Sequence, residues 1–228
     1  MVSAVAVAAL LSTATTALAC INDGAPPYRW YGVSRKFSTT TNEGGFANIY
    51  VPASGAADYA SGGFIANVLW VGTGGSTDLS YWVEGGYTKG WHGDAIRTFY
   101  WARNTKANGY AEHKVGNATP TVGTYEPVEI QYTGSNIWSV YFNFVKATSP
   151  DGSTANISAL PNSASLETGL ESTSSGSYSA NAWSNDLEYK TTGGSWSSQW
   201  PSGGTLVCDS PAAASWVTTN VKLQYSEN

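Results

Sequence analysis

Short runs of alternating apolar and polar residues, each ended by a turn signal, recur from Tyr28 to Tyr225, and no stretch beyond the first residues keeps a helical apolar stripe. Alternation with a period of two describes a strand that buries one face, and many such strands at close spacing must close into a sandwich or barrel. The runs are Tyr28 to Phe37, Phe46 to Val51, Phe64 to Val71, Leu79 to Tyr87, Ile96 to Arg103, Tyr110 to Val115, Pro127 to Tyr132, Ile137 to Lys146, Ser153 to Leu160, Ser165 to Glu171, Leu187 to Tyr189 and Trp216 to Tyr225. Gly74-Gly75, Asn108-Gly109, Asp151-Gly152 and Gly193-Gly194 punctuate them. The expected fold is all-β: two antiparallel sheets packed as a jelly-roll or concanavalin A-like sandwich, with a substrate groove on one sheet.

The chain begins with 19 uncharged residues, apolar from Val5 to Leu11 and ending Ala17-Leu18-Ala19, which reads as a secretory signal peptide. Residues 20–228 are then expected to form one catalytic domain of a secreted, extracellular, monomeric protein. No later run is apolar enough to span a bilayer, so no membrane association is expected after cleavage. Cys20 and Cys208 are the two cysteines. A disulfide between them is expected in an oxidising compartment, in preference to a lipid on Cys20.

Charged residues make up 12% of the chain and the net charge is −5, with no basic cluster. Nucleic acid is therefore not an expected partner. His92 and His113 are the two histidines, and no His/Cys set has metal-ligand spacing, so neither a metal nor another cofactor is expected. Glu112 and His113 are adjacent, and on a strand they point to opposite faces. No Gly-x-Ser-x-Gly elbow, phosphate loop or dinucleotide fingerprint occurs.

What remains for chemistry is a set of glutamates on sparsely charged strands. In Tyr81 to Tyr87 the period of two puts Trp82, Glu84 and Gly86 on one face and Tyr81, Val83 and Tyr87 on the other. In Ser165 to Glu171 it puts Leu166 and Leu170 against Glu167 and Glu171. If both strands share a sheet, Glu84 faces Glu167 or Glu171, and two carboxyls are the minimum for metal-free acid/base hydrolysis. The glycine beside each glutamate is expected to clear room. Trp82, sharing a face with Glu84, would desolvate it and bind substrate.

The order of motifs resembles the secreted glutamic peptidases of the eqolisin type and the related neprosin-type β-sandwich peptidases. The resembling segments are Arg29-Trp30-Tyr31-Gly32-Val33, Ile49-Tyr50-Val51-Pro52, Leu69-Trp70-Val71-Gly72, Val83-Glu84-Gly85-Gly86, the run Gly93 to Trp101, and Glu167-Thr168-Gly169-Leu170-Glu171. Glutamate at position 84, where eqolisins carry a catalytic glutamine, is similar to the neprosin version. The resemblance implies an acid endopeptidase acting on polypeptides, with Glu84 and Glu167 as the dyad, Glu171 in reserve, and Trp70, Trp82, Gly86 and Tyr100 along the groove. Thr168 stands where the family carries tryptophan, and the groove is expected to differ there. Two other readings use the same residues: a jelly-roll glycoside hydrolase, and a noncatalytic carbohydrate-binding or lectin-like module.

Overall fold

The computed structural model describes residues 29–36, 42–52, 64–72, 81–90, 96–105, 109–135, 137–150, 152, 156–158, 165–172, 182–200, 204–208 and 212–227. Among them are sixteen strands and no helix. They are β1 (Arg29–Lys36), β2 (Asn42–Tyr50), β3 (Ile65–Gly72), β4 (Tyr81–Lys89), β5 (Thr98–Thr105), β6 (Gly109–Lys114), β7 (Tyr125–Gly134) and β8 (Ile137–Phe142). The remainder are β9 (Val145–Lys146), β10 (Asn156–Ser158), β11 (Ser165–Ser172), β12 (Ala182–Thr191), β13 (Trp196–Ser197), β14 (Thr205–Cys208), β15 (Ala212–Thr218) and β16 (Lys222–Glu227). One sheet runs β14-β1-β11-β3-β4-β5-β6. The other runs β10-β8-β7-β2-β12-β16-β15, with β9 added to β8 and β13 to β12. The two antiparallel sheets form the expected β-sandwich. The signal segment, Cys20 and His92 lie outside the described residues.

The alternation decides which residues meet between the sheets. Leu69, Val71, Val83, Phe99, Leu166 and Leu170 of the seven-stranded sheet join Ile49, Val128, Ile130, Val140, Phe142 and Leu223 of the other in one buried cluster. Phe99 and Phe142 stack across the gap with centroids 4.4 Å apart. Each such side chain contributes about 1.5–3 kcal/mol by leaving water. Gly85 allows the sheets to come this close, because a Cβ there would lie 2.5 Å from Cγ1 of Val140.

Two expected runs are each two strands. Ile137 to Lys146 breaks at Asn143 and Phe144, both left-handed (φ 51° and 63°), which closes a tight hairpin between β8 and β9. Asparagine tolerates that backbone, but a β-rich sequence ending in phenylalanine gives no turn signal. Trp216 to Tyr225 breaks near Asn220 (φ 60°), between β15 and β16. The short β13 and β14 were not expected from the alternation.

Thr168 corrects one expectation. It points into the core, not the groove: it is fully buried, donates to the Val68 carbonyl at 2.9 Å, and lies 2.9 Å from Ser184 Oγ, which also accepts from Tyr225 at 2.9 Å. This hydrogen-bonded chain ties β11 to β12 and β16 across the sandwich.

Candidate active site

The outward residues of the seven-stranded sheet follow from register. Glu167 on β11 pairs with Trp70 on β3, Trp70 with Glu84 on β4, Glu84 with Ala102 on β5, and Ala102 with Glu112 on β6. Cross-strand partners share a face, so Glu167, Trp70, Glu84, Ala102 and Glu112 form one row across the outer surface. Glu84 and Glu167 are two strand spacings apart at their Cα atoms, about 9.5 Å, with Trp70 between them. Glu171 pairs with Ala66, and Ala66 with Thr88, so it sits two rows along the sheet. Trp82, Gly86 and Tyr100 share the same face: Gly86 pairs with Tyr100, and Trp82 with Asn104.

This face carries its own apolar cluster. Phe64, Ala66, Val68, Tyr100, Ala102 and Val207 are buried there, with Trp70 and Trp82 packed against them. Trp70, Trp82 and Tyr110 run as a continuous aromatic wall, with successive centroids 6.3 and 5.6 Å apart. Gly86 does less for the open space than its position suggests. A Cβ there would come 2.1 Å from the Asn67 carbonyl oxygen and 2.8 Å from Val68 Cα, so glycine is required by the close approach of β3 and β4.

Glu84 and Glu167 are each 4% exposed. Burial pushes the Glu84 carboxyl well above its usual range, the charges of Glu171 and Glu112 push further, and a hydrogen bond from Tyr100 opposes them. Glu171 is raised to about 7 by burial and then by Glu112. Tyr100 is raised by burial and by Glu84, so its hydroxyl keeps its proton and donates. Tyr110, also raised first by burial, donates to Oε2 of Glu112. Among the described residues no group of three His, Cys, Asp or Glu side chains has a geometry that could hold a metal ion.

No protein-family model matches the sequence, and no curated protein matches it. Among solved structures, scytalido-glutamic peptidase with a peptide-based transition-state analogue aligns with a TM-score of 0.56 at 14% identity, covering 88% of this chain and 98% of that one. SCP-B, a member of the eqolisin family of peptidases in complex with the tripeptide Ala-Ile-His, aligns at 0.53 with 12% identity over the same shares. The protein has the fold of a glutamic peptidase. The relationship is distant and structural, and it spans nearly the whole of each glutamic peptidase chain.

Within that fold the sequence-derived site separates into two parts. Glu84, Glu167, Trp70, Trp82, Gly86 and Tyr100 come together on one face, in one row and its immediate neighbours. Glu171 shares the face but not the row. Sequence reasoning missed Tyr110 and Glu112. Their alternation with Lys114 was legible, but the pairing of Glu112 with Ala102 is a tertiary fact. His113 is half-buried, turns to the face opposite Glu112 as expected, and stacks on Trp101 at 4.3 Å. Cys208 is buried and its Sγ accepts from Ala214 N at 3.0 Å.

Proposed function

We propose that the protein is a secreted acid endopeptidase in which Glu84 and Glu167 activate water against a peptide bond. The observation that carries this is two buried carboxyls in one cross-strand row of an outer face, in a sandwich with the glutamic peptidase fold. Burial and the like charges of Glu171 and Glu112 favour the protonated Glu84 carboxyl, so one member of the pair holds a proton over an acidic window. The ionised member takes a proton from water as its oxygen attacks the scissile carbonyl. The protonated member hydrogen-bonds the carbonyl oxygen and then gives its proton to the leaving amine. Tyr100 fixes the Glu84 carboxyl, and the wall of Trp70, Trp82 and Tyr110 offers flat apolar surface to an extended polypeptide. The Cys20–Cys208 disulfide belongs to the same proposal, as a clamp on a secreted chain.

The aromatic wall also favours a second reading, glycoside hydrolysis, because sugar faces stack on indole rings. The two are separated by incubating wild type and Glu167→Gln with a denatured protein and with a panel of β-glucans between pH 2.5 and 7, products being identified by mass. Peptides released in acid by wild type and not by the variant support the peptidase. Oligosaccharides without peptides overturn it.

A further inference from the structure

Glu84 has a carboxyl two strands away on each side, and the two sides differ. Toward Glu167 the intervening residue in the row is Trp70. Toward Glu112 it is Ala102, fully buried and only a methyl group in height, so nothing from β5 in that row separates the two carboxyls. Glu112 is also held in place. Tyr110, two residues earlier on the same face of β6, donates its hydroxyl proton to Glu112 Oε2, and its ring is fixed against Trp82. That hydrogen bond holds the Glu112 carboxyl on the face it shares with Glu84, and its charge raises the proton affinity of Glu84 and of Glu171.

We propose that Glu112, braced by Tyr110, is a positioning residue that makes Glu84 the member of the dyad holding the proton, leaving Glu167 to act as the base. The inference deepens the peptidase reading and rests on it for the catalytic roles alone. Among the described residues, the groups facing Glu84 are Glu167 and Glu171 from β11, Tyr100 from β5, and Tyr110, Glu112 and Lys114 from β6. From β3 there is only the neutral Trp70. Lys114 is the cation of β6 on this face, and it lies in the Tyr100 row, one row off the line that joins Glu84 to Glu112, while Lys36 shares the face on β1, three strands from β4, where it pairs with Ser165. Arg103 of β5 points the other way and donates to the Gly109 carbonyl. Glu167 has Trp70 on one side and pairs with Ser34 of β1 on the other, so its own row brings no second carboxyl near it. The asymmetry of the row therefore places the proton on Glu84. The higher affinity of Glu84 for a proton, raised in part by Glu112, agrees with this.

The test is a carboxyl titration by carbon NMR of protein labelled at the glutamate side chains, with the Glu84 resonance assigned by its loss in Glu84→Gln. Glu112→Gln is expected to lower the Glu84 midpoint by about one unit, a tenfold change in proton affinity. Tyr110→Phe, which keeps the ring and removes the donor, is expected to lower it by less. The neutral limb of the pH–rate profile should move down by the same amount as the Glu84 midpoint in each variant. A Glu84 midpoint in Glu112→Gln within about 0.3 unit of wild type, the precision of such a titration, overturns the inference. A shifted midpoint in a protein that cleaves no peptide supports the role of Glu112 and sinks the peptidase reading alone.

Discussion

Glu84 and Glu126 are equally buried, each 4% exposed, and they are opposites in every other respect. Glu126, on β7 of the nine-stranded sheet, accepts from Thr121 N at 2.6 Å, Thr124 Oγ1 at 3.0 Å and Asn143 Nδ2 at 2.7 Å. Three donors satisfy its carboxyl oxygens and it staples two turns together. Glu84 has a tyrosine hydroxyl as donor and the like charges of Glu171 and Glu112 as company. Burial alone says nothing about function; a buried carboxyl surrounded by donors holds structure, while one surrounded by carboxyls costs stability that chemistry can use.

The comparison breaks if the two respond alike to mutation. Glu126→Ala leaves the Thr121 and Asn143 donors without their acceptor and should cost about 3 kcal/mol at pH 7 by chemical denaturation. Glu84→Gln should do the reverse, raising stability at pH 7 by roughly 1 kcal/mol, because it removes a buried group that ionises only at a cost. Equal losses at both sites would mean that Glu84 is structural.

The pH dependence sharpens the contrast. A carboxyl whose affinity for protons is higher folded than unfolded binds more protons in the native state, so its stabilising contribution is full below its unfolded value and is lost as pH rises through its folded value. For Glu171 that window runs from the ordinary carboxyl value of 4.5 to about 7, and for Glu84 it begins at the same point and extends upward. The melting temperature should therefore fall between pH 4.5 and 7, by the equivalent of roughly 3 kcal/mol or more, and the slope should flatten in Glu171→Gln. A flat wild-type profile across this range would contradict the assigned directions. A purely structural effect is expected inside the sandwich. Thr168→Val breaks the Thr168–Ser184–Tyr225 chain and should cost about 1–2 kcal/mol, with the rate per folded molecule unchanged. A selective loss of activity would return Thr168 to the groove.

Much of this was legible in the sequence, because a period of two carries its own geometry. Alternation alone put Glu84 with Trp82, and Glu167 with Glu171, on faces opposite their apolar neighbours, as found. It could not supply register. That Glu167 shares the row of Glu84 while Glu171 does not is fixed by the pairing of β11 with β3 and β3 with β4. Nor could it bring Glu112 beside Ala102, which depends on the edge strand β6. The glycine at position 86 was misread for a related reason: the space it keeps lies toward the backbone of a strand distant in sequence. The split of Ile137 to Lys146 escaped because Phe144 adopts a left-handed backbone that its residue type disfavours.

The central claim is that Glu84 is a working carboxyl and Glu126 a structural one. It is tested most directly by digesting a denatured protein in acid with wild type, Glu84→Gln and Glu126→Gln, each shown to be folded, and counting peptide bonds cleaved per folded molecule. The account predicts cleavage by wild type and by Glu126→Gln to within about threefold, and a loss of about a thousandfold or more in Glu84→Gln, the scale of removing a general acid or base. Cleavage by Glu84→Gln at the wild-type rate would contradict it.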